Sequence, residues 1–337
     1  MSRGTVRMPP PSCLITGATG FVGGHLAEEA VRRGWAVRTL ARAGSDTALL
    51  SRLPAAMVRG DLGDAAALRE AVQGVDVVFH CAAKVGDWGP VEDYRAVNVE
   101  GTRALLDACL SASVSRFVYF SSLGVYAARH HHGTDETAPL PARHIDGYTQ
   151  TKVEAERLVL RYHQEHKLPA VVLRPGFIYG PRDRTVLPKL LDNLRQGQVR
   201  YLGSGKQAMN TIFVGNLVDA AFLAAEKPDV VGEVFNLTDG EFVSKRRFIE
   251  ALADGVGVPR PTRSVPLWVA RVAAWWMEGR ARKRGDPQPP RLTQGRLKFL
   301  GLNLDFSIEK ARRVLGYRPR VSFADGMRQT VDWLKRT

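Results

Sequence analysis

Tyr148 and Lys152 carry complementary chemistry and lie four positions apart in the sequence. On a helix, this spacing places both side chains on one face. A free tyrosine has a pKa near ~10, too high for a base at neutral pH. We therefore expect the Lys152 ammonium to lower the pKa of Tyr148 by stabilising its phenolate. Such a phenolate could take the proton of a substrate alcohol as hydride leaves the carbon, or return it during carbonyl reduction.

A serine at the end of a predicted strand adds a third group to this pair. The apolar run at 116–122 ends in Ser121 and Ser122, and the Ser122 hydroxyl at the strand end could hold a substrate oxygen. A Tyr-x-x-x-Lys pair also occurs by chance on surface helices. Here it follows a glycine turn and a Ser-Ser strand end in that order, which favours a catalytic role.

The glycine turn joins a short apolar strand to an amphipathic helix that begins near Phe21. Gly17 permits the tight turn, Gly20 lets backbone N–H groups approach a pyrophosphate, and Gly23 lets the helix pack close to the sheet. The first N–H groups of the helix and its positive dipole end would point at the phosphates. This context predicts a dinucleotide-binding βαβ unit rather than an ordinary β–α turn.

Strands and helices alternate along the first half of the chain. After the second strand, short apolar runs end at Asp61, His80, Ser122 and Pro175, with helical segments between them. Such alternation predicts an α/β fold with a doubly wound parallel sheet. Ligands bind such sheets at the carboxyl ends of the strands, where all four residues fall.

The strict alternation fades after the sixth predicted strand, which suggests a second structural unit. We expect a dinucleotide-binding domain at 1–175, to which 213–238 return. A smaller, mainly helical substrate lobe is expected from 176–212 and 239–337.

The composition is that of an ordinary globular protein, with 45% hydrophobic and 24% charged residues. The net charge of +14 favours polyanions, anionic cofactors or an anionic membrane surface, but it does not choose among them. An arginine-rich surface is a sufficient explanation for most of the excess. We expect no nucleic-acid partner.

Three scattered cysteines indicate a reducing compartment and no disulfide framework. The basic, proline-rich segment 1–11 lacks the apolar core of a signal peptide. No apolar run reaches the ~18 residues needed to span a bilayer. These features predict a cytoplasmic protein.

The histidine-rich segment 129–133 is predicted to be a solvated loop. Three adjacent histidines cannot all face one metal, so no metal site is expected.

Taken together, the motifs resemble the extended short-chain dehydrogenases/reductases, the NAD-dependent epimerase/dehydratase superfamily, over nearly the whole chain. The matching segments are 16–23, 60–62, 80–83, 98–102, 119–122, 148–152 and 173–176. The resemblance implies a Rossmann-type sheet, a catalytic triad of Ser122, Tyr148 and Lys152, and NADP or NAD as cofactor. Asn98 matches a family asparagine that serves as a structural hydrogen-bonding residue.

The resemblance and the strand ends together give a set of expected cofactor contacts. Asp61 and Leu62 should flank the adenine, and Pro175 and Gly176 should border the nicotinamide. The full set is Gly17, Thr19, Gly20, Phe21, Val22, Gly23, Arg42, Asp61, Leu62, Ala82, Ala83, Lys84, Tyr148, Lys152, Pro175 and Gly176.

Arg42 favours NADP over NAD. NAD-selective sites usually carry an acidic residue at the end of the second strand, about 20 residues beyond the glycines. This chain has Arg42 there, and a guanidinium suits the 2′-phosphate of NADP. The alternative is that Arg42 stacks on the adenine and both cofactors serve.

Other segments bear on the substrate. Sugar-nucleotide relatives carry an arginine for the diphosphate where this chain has Met209, and dehydratases carry an Asp-Glu pair where it has Leu123 and Gly124. Segments 213–216 and 290–319 instead resemble the 3β-hydroxysteroid and sterol-carboxylate dehydrogenases. The resemblance implies oxidation or reduction at a secondary alcohol or ketone of a sterol or similar lipid.

Other readings remain open at this point. Segment 82–89 resembles long-chain β-ketoacid reductases, and the sugar branch would give a 4-epimerase. From a different class, a redox-sensing or scaffold protein would keep the dinucleotide fold without turnover. The intact Ser122, Tyr148 and Lys152 argue against this last reading.

A tryptophan-rich segment at 264–277 precedes a basic run at 280–284. Trp268, Trp275 and Trp276 recur at helical spacing, and tryptophan favours the headgroup boundary of a bilayer. We expect peripheral membrane contact through this helix, although it could instead pack on the sheet or roof a substrate pocket. A homodimer is a further hypothesis.

Overall fold

A parallel sheet forms the centre of the protein, whose computed structural model describes residues 10–336. The strands are β1 Ser12–Thr16, β2 Ala36–Ala41, β3 Ala55–Arg59, β4 Val77–His80, β5 Arg116–Phe120, β6 His131–Thr134, β7 Ala170–Pro175, β8 Phe177–Tyr179, β9 Tyr201–Leu202, β10 Thr211–Phe213, β11 Val234–Leu237, β12 Ser264–Val265 and β13 Leu304–Phe306. Seven of these strands form the main sheet, in the order β11-β7-β5-β4-β1-β2-β3.

Helices cover both faces of this sheet. They are α1 Phe21–Arg32, α2 Ala65–Val72, α3 Val91–Arg95, α4 Gly101–Ser111, α5 Gly147–His166, α6 Leu187–Arg195, α7 Val214–Glu226, α8 Lys245–Val256, α9 Leu267–Arg284, α10 Gln294–Gly301 and α11 Phe323–Leu334. Helices α1 and α7 pack on one face, whereas α2, α4 and α5 pack on the other.

Side chains of β1 show why helices must cover both faces of the sheet. Cys13 and Ile15 belong to the hydrophobic cluster on the α1 side. Leu14, between them, belongs to the cluster on the α5 side. Successive side chains of a strand point to opposite faces, so a continuously apolar strand requires helices on both. The predicted doubly wound α/β fold is confirmed.

The helix predicted at 91–111 is interrupted. It consists of α3, a π-helical turn at Ala96–Glu100 and α4. A π-turn inserts an extra residue into a helix and is common at functional sites. Here the turn contains Asn98, which is fully buried.

The prediction of a solvated loop at 129–133 is wrong for His131. This residue begins β6, which pairs in parallel with β13. Its ring is buried against Phe306, with ring centroids 4.5 Å apart, and its two nitrogens bond to Thr134 Oγ1 and the Ala127 carbonyl oxygen. The sequence does not reveal this pairing because its partner strand lies more than 170 residues away.

A separate hydrophobic core lies between α6, α8 and α11. Aromatic rings from distant segments meet there, with Tyr179 5.7 Å from both Phe213 and Phe248, and Phe248 5.9 Å from Phe323. Helices α9 and α10 pack together beside this core, against β9. Within residues 10–336, no helix combines the length and apolarity needed to cross a bilayer.

Candidate active site

The glycine turn after β1 has no room for side chains. Gly17 has φ +71°, and a Cβ on it would lie 2.8 Å from the Ala82 nitrogen. A Cβ on Gly23 would lie 2.3 Å from the Gly17 oxygen. These contacts bring α1 and the β4 end against the turn, as the sequence predicts.

The start of α1 is suited to an anionic group. Its N-cap is Gly20, and no side chain caps it, whereas α2 is capped by the Asp64 carboxylate. The first backbone N–H groups of a helix lack partners within the helix. Together with the positive end of the helix dipole, they fit the pyrophosphate of a dinucleotide.

Asn98 fixes the chain that leaves β4. Its Oδ1 accepts from the Lys84 backbone N–H at 2.7 Å, and its Nδ2 donates to the Lys84 carbonyl at 3.0 Å. The same Nδ2 donates to Thr151 Oγ1 on α5 at 3.0 Å. Asn98 thus ties the segment at Ala82–Lys84 to the helix that carries Tyr148, which agrees with a structural hydrogen-bonding role.

Ser122 stands at the carboxyl end of β5 with an anchored side chain. Its Oγ accepts from the Gly124 N–H at 2.9 Å and caps a short 3-10 turn at Leu123–Val125. The Ser122 O–H and a second lone pair can bond to Tyr148 or to a ligand.

Tyr148 lies in the first turn of α5, half-buried. Burial and, to a smaller extent, the Asp146 carboxylate raise its pKa to about 12, although hydrogen bonding with Ser122 acts in the opposite direction. The lowering that we expected from Lys152 is not found, because burial is the larger effect on the phenolate. Tyr148 is therefore protonated at neutral pH.

Lys152 lies one turn further along α5 and is almost fully buried. Its ammonium donates to the Phe120 carbonyl oxygen at 2.5 Å and to the Tyr119 hydroxyl at 3.4 Å. Burial lowers its pKa to about 8, while Cys81 and Glu156 raise it. Among the residues that the structure describes, no hydrogen bond joins Lys152 to the Tyr148 hydroxyl.

A buried charged network underlies these groups. Glu156, one turn beyond Lys152, accepts from the Ser121 hydroxyl at 2.6 Å and from the Arg174 guanidinium. Arg174 also donates to the Tyr126 hydroxyl at 2.7 Å. Neither Glu156 nor Arg174 is among the predicted site residues, although Glu156 continues the four-residue spacing of the helix face and Arg174 lies in the matching segment 173–176.

Comparison with known proteins identifies the family. A family model described as the NAD dependent epimerase/dehydratase family matches residues 13–238. The chain belongs to this family.

Relatives of the chain include oxidoreductases. The chain is 34% identical over 330 residues to a 2-alkyl-3-oxoalkanoate reductase of Stenotrophomonas maltophilia, covering 94% of this chain and 97% of that protein. It is 36% identical over 323 residues to a 3 beta-hydroxysteroid dehydrogenase/Delta 5-->4-isomerase of Mycobacterium tuberculosis, covering 91% and 85%. The crystal structure of gox2253 superposes with a TM-score of 0.81 at 32% identity, covering 96% and 98%.

These findings confirm the predicted resemblance, the Rossmann-type fold and an NAD(P)-dependent oxidoreductase. The parallel sheet of this epimerase/dehydratase-family chain brings most of the predicted site residues to one edge. The glycine turn, Ala82, Ser122 and Pro175 follow or end β1, β4, β5 and β7, respectively.

The remaining predicted contacts lie at the ends of β2, β3 and β7. The Arg42 side chain is exposed, and it has no side-chain partner within residues 10–336. Asp61 is exposed and accepts from the Gly63 N–H at 2.8 Å, whereas Leu62 is buried against Gly101. Gly176 is required for close packing, since a Cβ there would lie 1.9 Å from the Asn210 oxygen.

Proposed function

We propose that this oxidoreductase interconverts a secondary alcohol and a ketone on a sterol-like or other lipid substrate. The observation that carries the proposal is the position of the half-buried Tyr148 hydroxyl beside Ser122, at the sheet edge that also bears the glycine turn. A proton donor and an oxygen-binding hydroxyl are what carbonyl reduction requires from the protein.

The catalytic roles follow from these positions. In reduction, Tyr148 gives its proton to the carbonyl oxygen while the Ser122 hydroxyl hydrogen-bonds that oxygen, and solvent then reprotonates Tyr148. A bound nicotinamide dinucleotide supplies the hydride in this direction and accepts it in the other. Lys152 would hold the ribose hydroxyls of a bound dinucleotide and, in the oxidative direction, would stabilise negative charge on Tyr148.

The apolar character of the lobe supports a lipid substrate. Met209 is buried in the cluster that contains Tyr179, Phe213 and Phe248, at the position where sugar-nucleotide relatives carry an arginine. A thioether cannot supply the paired N–H donors that a diphosphate needs. A sugar-nucleotide 4-epimerase is therefore the weaker alternative, as is a scaffold without turnover.

A long-chain β-ketoacid reductase is the second candidate. It is favoured by the 34% identity to a 2-alkyl-3-oxoalkanoate reductase over nearly the full length of both chains. Both candidates use the same proton donor and differ in the lipid that the lobe accepts.

A substrate screen tests the proposal. Purified protein is assayed by nicotinamide absorbance with 3-hydroxysterols, 3-ketosteroids, 2-alkyl-3-oxo acids and nucleotide sugars, with Tyr148→Phe as the inactive control. We expect turnover with a sterol or an oxo acid. Turnover of nucleotide sugars alone, or of no lipid in the panel, would contradict the proposal.

The cofactor contacts are proposed by the same reasoning. The turn from Gly17 to Gly23 holds the pyrophosphate, Asp61 and Leu62 flank the adenine, and the Arg42 guanidinium binds the 2′-phosphate of NADP. Ala82–Lys84 lie along the cofactor, and Pro175 and Gly176 border the nicotinamide. The residues 1–175 and 213–238 would bind cofactor, and 176–212 and 239–337 would bind substrate.

Helix α9 supports a peripheral membrane contact by a cytoplasmic enzyme. It buries Ala270, Ala274 and Ala281 and exposes 71% of Trp268, 73% of Trp275 and 58% of Trp276. Amphipathic helices in water usually do the reverse. Exposed tryptophans beside arginines suit an anionic bilayer surface, which is also where a sterol-like substrate would reside. A homodimer through this face is the alternative.

A further inference from the structure

A buried lysine of the smaller lobe reaches the loop that follows Ser122. Lys298, on α10, is only 8% exposed. Its ammonium donates to the carbonyl oxygens of Gly124 and Tyr126, both at 2.7 Å. Both acceptors belong to the loop that leaves β5.

This loop holds the Ser122 side chain. The Gly124 N–H donates to Ser122 Oγ at 2.9 Å. A Cβ on Gly124 would lie 3.1 Å from that Oγ and 3.2 Å from Thr149 Cγ2 on α5. Gly124 is therefore confined between Ser122 and the first turn of the Tyr148 helix, and its carbonyl is fixed by Lys298.

Helix α10 is itself tied to the sheet edge. Its N-cap, Thr293, donates from its hydroxyl to Asp87 Oδ2 at 2.5 Å, and Arg296 Nε lies 3.0 Å from the same oxygen. Asp87 follows the segment at Ala82–Lys84. Helix α10 thus bonds to both loops that border the proposed site.

Burying an ammonium costs free energy unless its N–H groups find hydrogen-bond acceptors. Burial lowers the pKa of Lys298 to about 8, and the Asp146 carboxylate opposes this. A leucine or methionine would fill the same space without that cost. The donated bonds to Gly124 and Tyr126 explain why a lysine stands here.

We propose that Lys298 is a positioning residue, which fixes the loop after β5 from the smaller lobe so that the Ser122 hydroxyl faces Tyr148. The inference rests on the catalytic role of Ser122 that is proposed above. Because Lys298 belongs to the lobe that would bind substrate, the position of that lobe also affects the position of the catalytic serine.

A second buried lysine provides a matched control. Lys245, on α8 of the same lobe, is also buried and donates to the Phe299 carbonyl at 2.5 Å. Burial lowers its pKa to about 7. Its bond joins α8 to α10 at Phe299, the residue after Lys298, and does not reach the Ser122 loop. Lys245→Met therefore removes a comparable buried cation that also holds α10, without removing a bond to that loop.

The kinetic test compares Lys298→Met with Lys245→Met on a substrate found in the screen. We expect Lys298→Met to lower kcat roughly 10- to 100-fold while the Kd for cofactor stays within about twofold, since losing one oriented hydroxyl contact costs up to that range. Lys245→Met should lower the Tm without this loss of kcat. Equal loss of kcat in both variants would overturn the proposal.

A double-mutant cycle separates positioning from general stability. If Lys298 acts through Ser122, then Lys298→Met should change kcat by no more than about twofold in a Ser122→Ala background. Full additivity would refute a role through Ser122. If Ser122→Ala alone leaves kcat unchanged, then the catalytic role of Ser122 is what fails.

Hydrogen exchange measures the loop directly and needs no substrate. We expect faster amide exchange in the peptide that contains Gly124 for Lys298→Met, and unchanged exchange for Lys245→Met. If Lys298→Met does not fold, Lys298→Gln replaces it, because glutamine keeps an N–H donor. The amide exchange rate of Lys298→Gln should lie between those of the wild type and Lys298→Met. Unchanged exchange in the Lys298 variant would contradict the proposal.

Discussion

The Tyr148 hydroxyl keeps its proton at neutral pH because burial raises its pKa to about 12. We expect Tyr148→Phe, which keeps the ring and removes the proton, to lower kcat by roughly 10²–10⁴-fold. The Kd for cofactor, measured by fluorescence titration, should be nearly unchanged because the phenol does not hold the phosphates. A variant with near wild-type turnover would show that another group transfers the proton.

Arg42 gives a second prediction at this scale. Its exposed guanidinium at the end of β2 should make kcat/KM higher with NADP than with NAD. Arg42→Asp should reverse this order, because a carboxylate accepts from the ribose 2′-OH and repels a 2′-phosphate. Arg52→Asp, which changes the same charge outside the predicted contacts, should leave the preference unchanged. Equal kcat/KM values in the wild type would refute the idea.

Single residues also show what the sequence can predict about the site. Ser122, Tyr148 and Lys152 are recognisable because their order and spacing repeat a known pattern. Glu156 continues the four-residue spacing of Tyr148 and Lys152, but spacing does not identify its partner. Its buried ion pair with Arg174 depends on β7 lying beside α5. The raised pKa of Tyr148 could not be predicted from the sequence either, because spacing indicates a neighbouring charge but not the degree of burial.

At the scale of elements, Asp239 ties β10, α7 and the chain ahead of α11 together. Its Oδ1 accepts from the Phe213 N–H, where β10 ends, and from Asn216 Nδ2 on α7, both at 2.8 Å. Asn216 also donates to the Val321 carbonyl, ahead of α11. The motif at 213–216 thus contributes a structural junction.

Burial raises the pKa of Asp239 from 3.8 to about 6. The folded protein therefore binds more protons than the unfolded chain between these values, and its stability falls as the pH rises through this window. The loss amounts to at most about 3 kcal/mol. Asp239→Asn should remove this part of the pH dependence, measured as the difference in urea unfolding free energy from pH 4 to 7.

The exposed Asp254 provides the control for this measurement. Asp254→Asn should leave the slope between pH 5 and 6 as in the wild type. The Arg260 guanidinium holds the pKa of the exposed Asp254 carboxyl below its usual range, so this group is ionised there in both the folded and the unfolded protein. If Asp239→Asn unfolds with the same pH dependence as the wild type, then Asp239 does not titrate in this range.

Elements were predictable where the pattern is local and continuous. Strands β1, β4, β5 and β7 are short apolar runs that read clearly from the sequence. The π-turn at Ala96–Glu100 was not predictable, because it is held by bonds from Asn98 to Lys84 and Thr151. The pairing of β6 with β13 likewise depends on chain folding over a long separation.

At the scale of the whole molecule, positive charge and exposed aromatic area coincide at α9. The helix ends in Arg282, Lys283 and Arg284, and Arg280 lies 5.6 Å over the Trp276 ring. A cavity of about 440 Å³ lies between this end and the following prolines. The net charge of +14 attracts the chain to anionic surfaces in general, whereas the tryptophans make this face the one that would enter the interface.

We expect the protein to pellet with liposomes that contain anionic lipid at low salt, and less so at high salt. The basic residues near the surface should contribute about 1 kcal/mol each. A variant with Trp268→Ala, Trp275→Ala and Trp276→Ala should lose most of the binding and keep its turnover of a soluble substrate. Phe242→Ala, which removes an exposed aromatic ring of the same lobe away from α9, should bind like the wild type.

Two outcomes would assign α9 a different role. If the wild type sediments as a dimer without lipid and the triple variant as a monomer, then the tryptophan face is an interface between two copies of the chain. If the wild type fails to pellet even at low salt, then the tryptophan face does not bind the bilayer. The net positive charge alone would then be too diffuse to hold the protein there. In either case the dehydrogenase chemistry is unaffected, because Tyr148 and Ser122 lie on α5 and after β5, and α9 contributes no hydrogen bond to either.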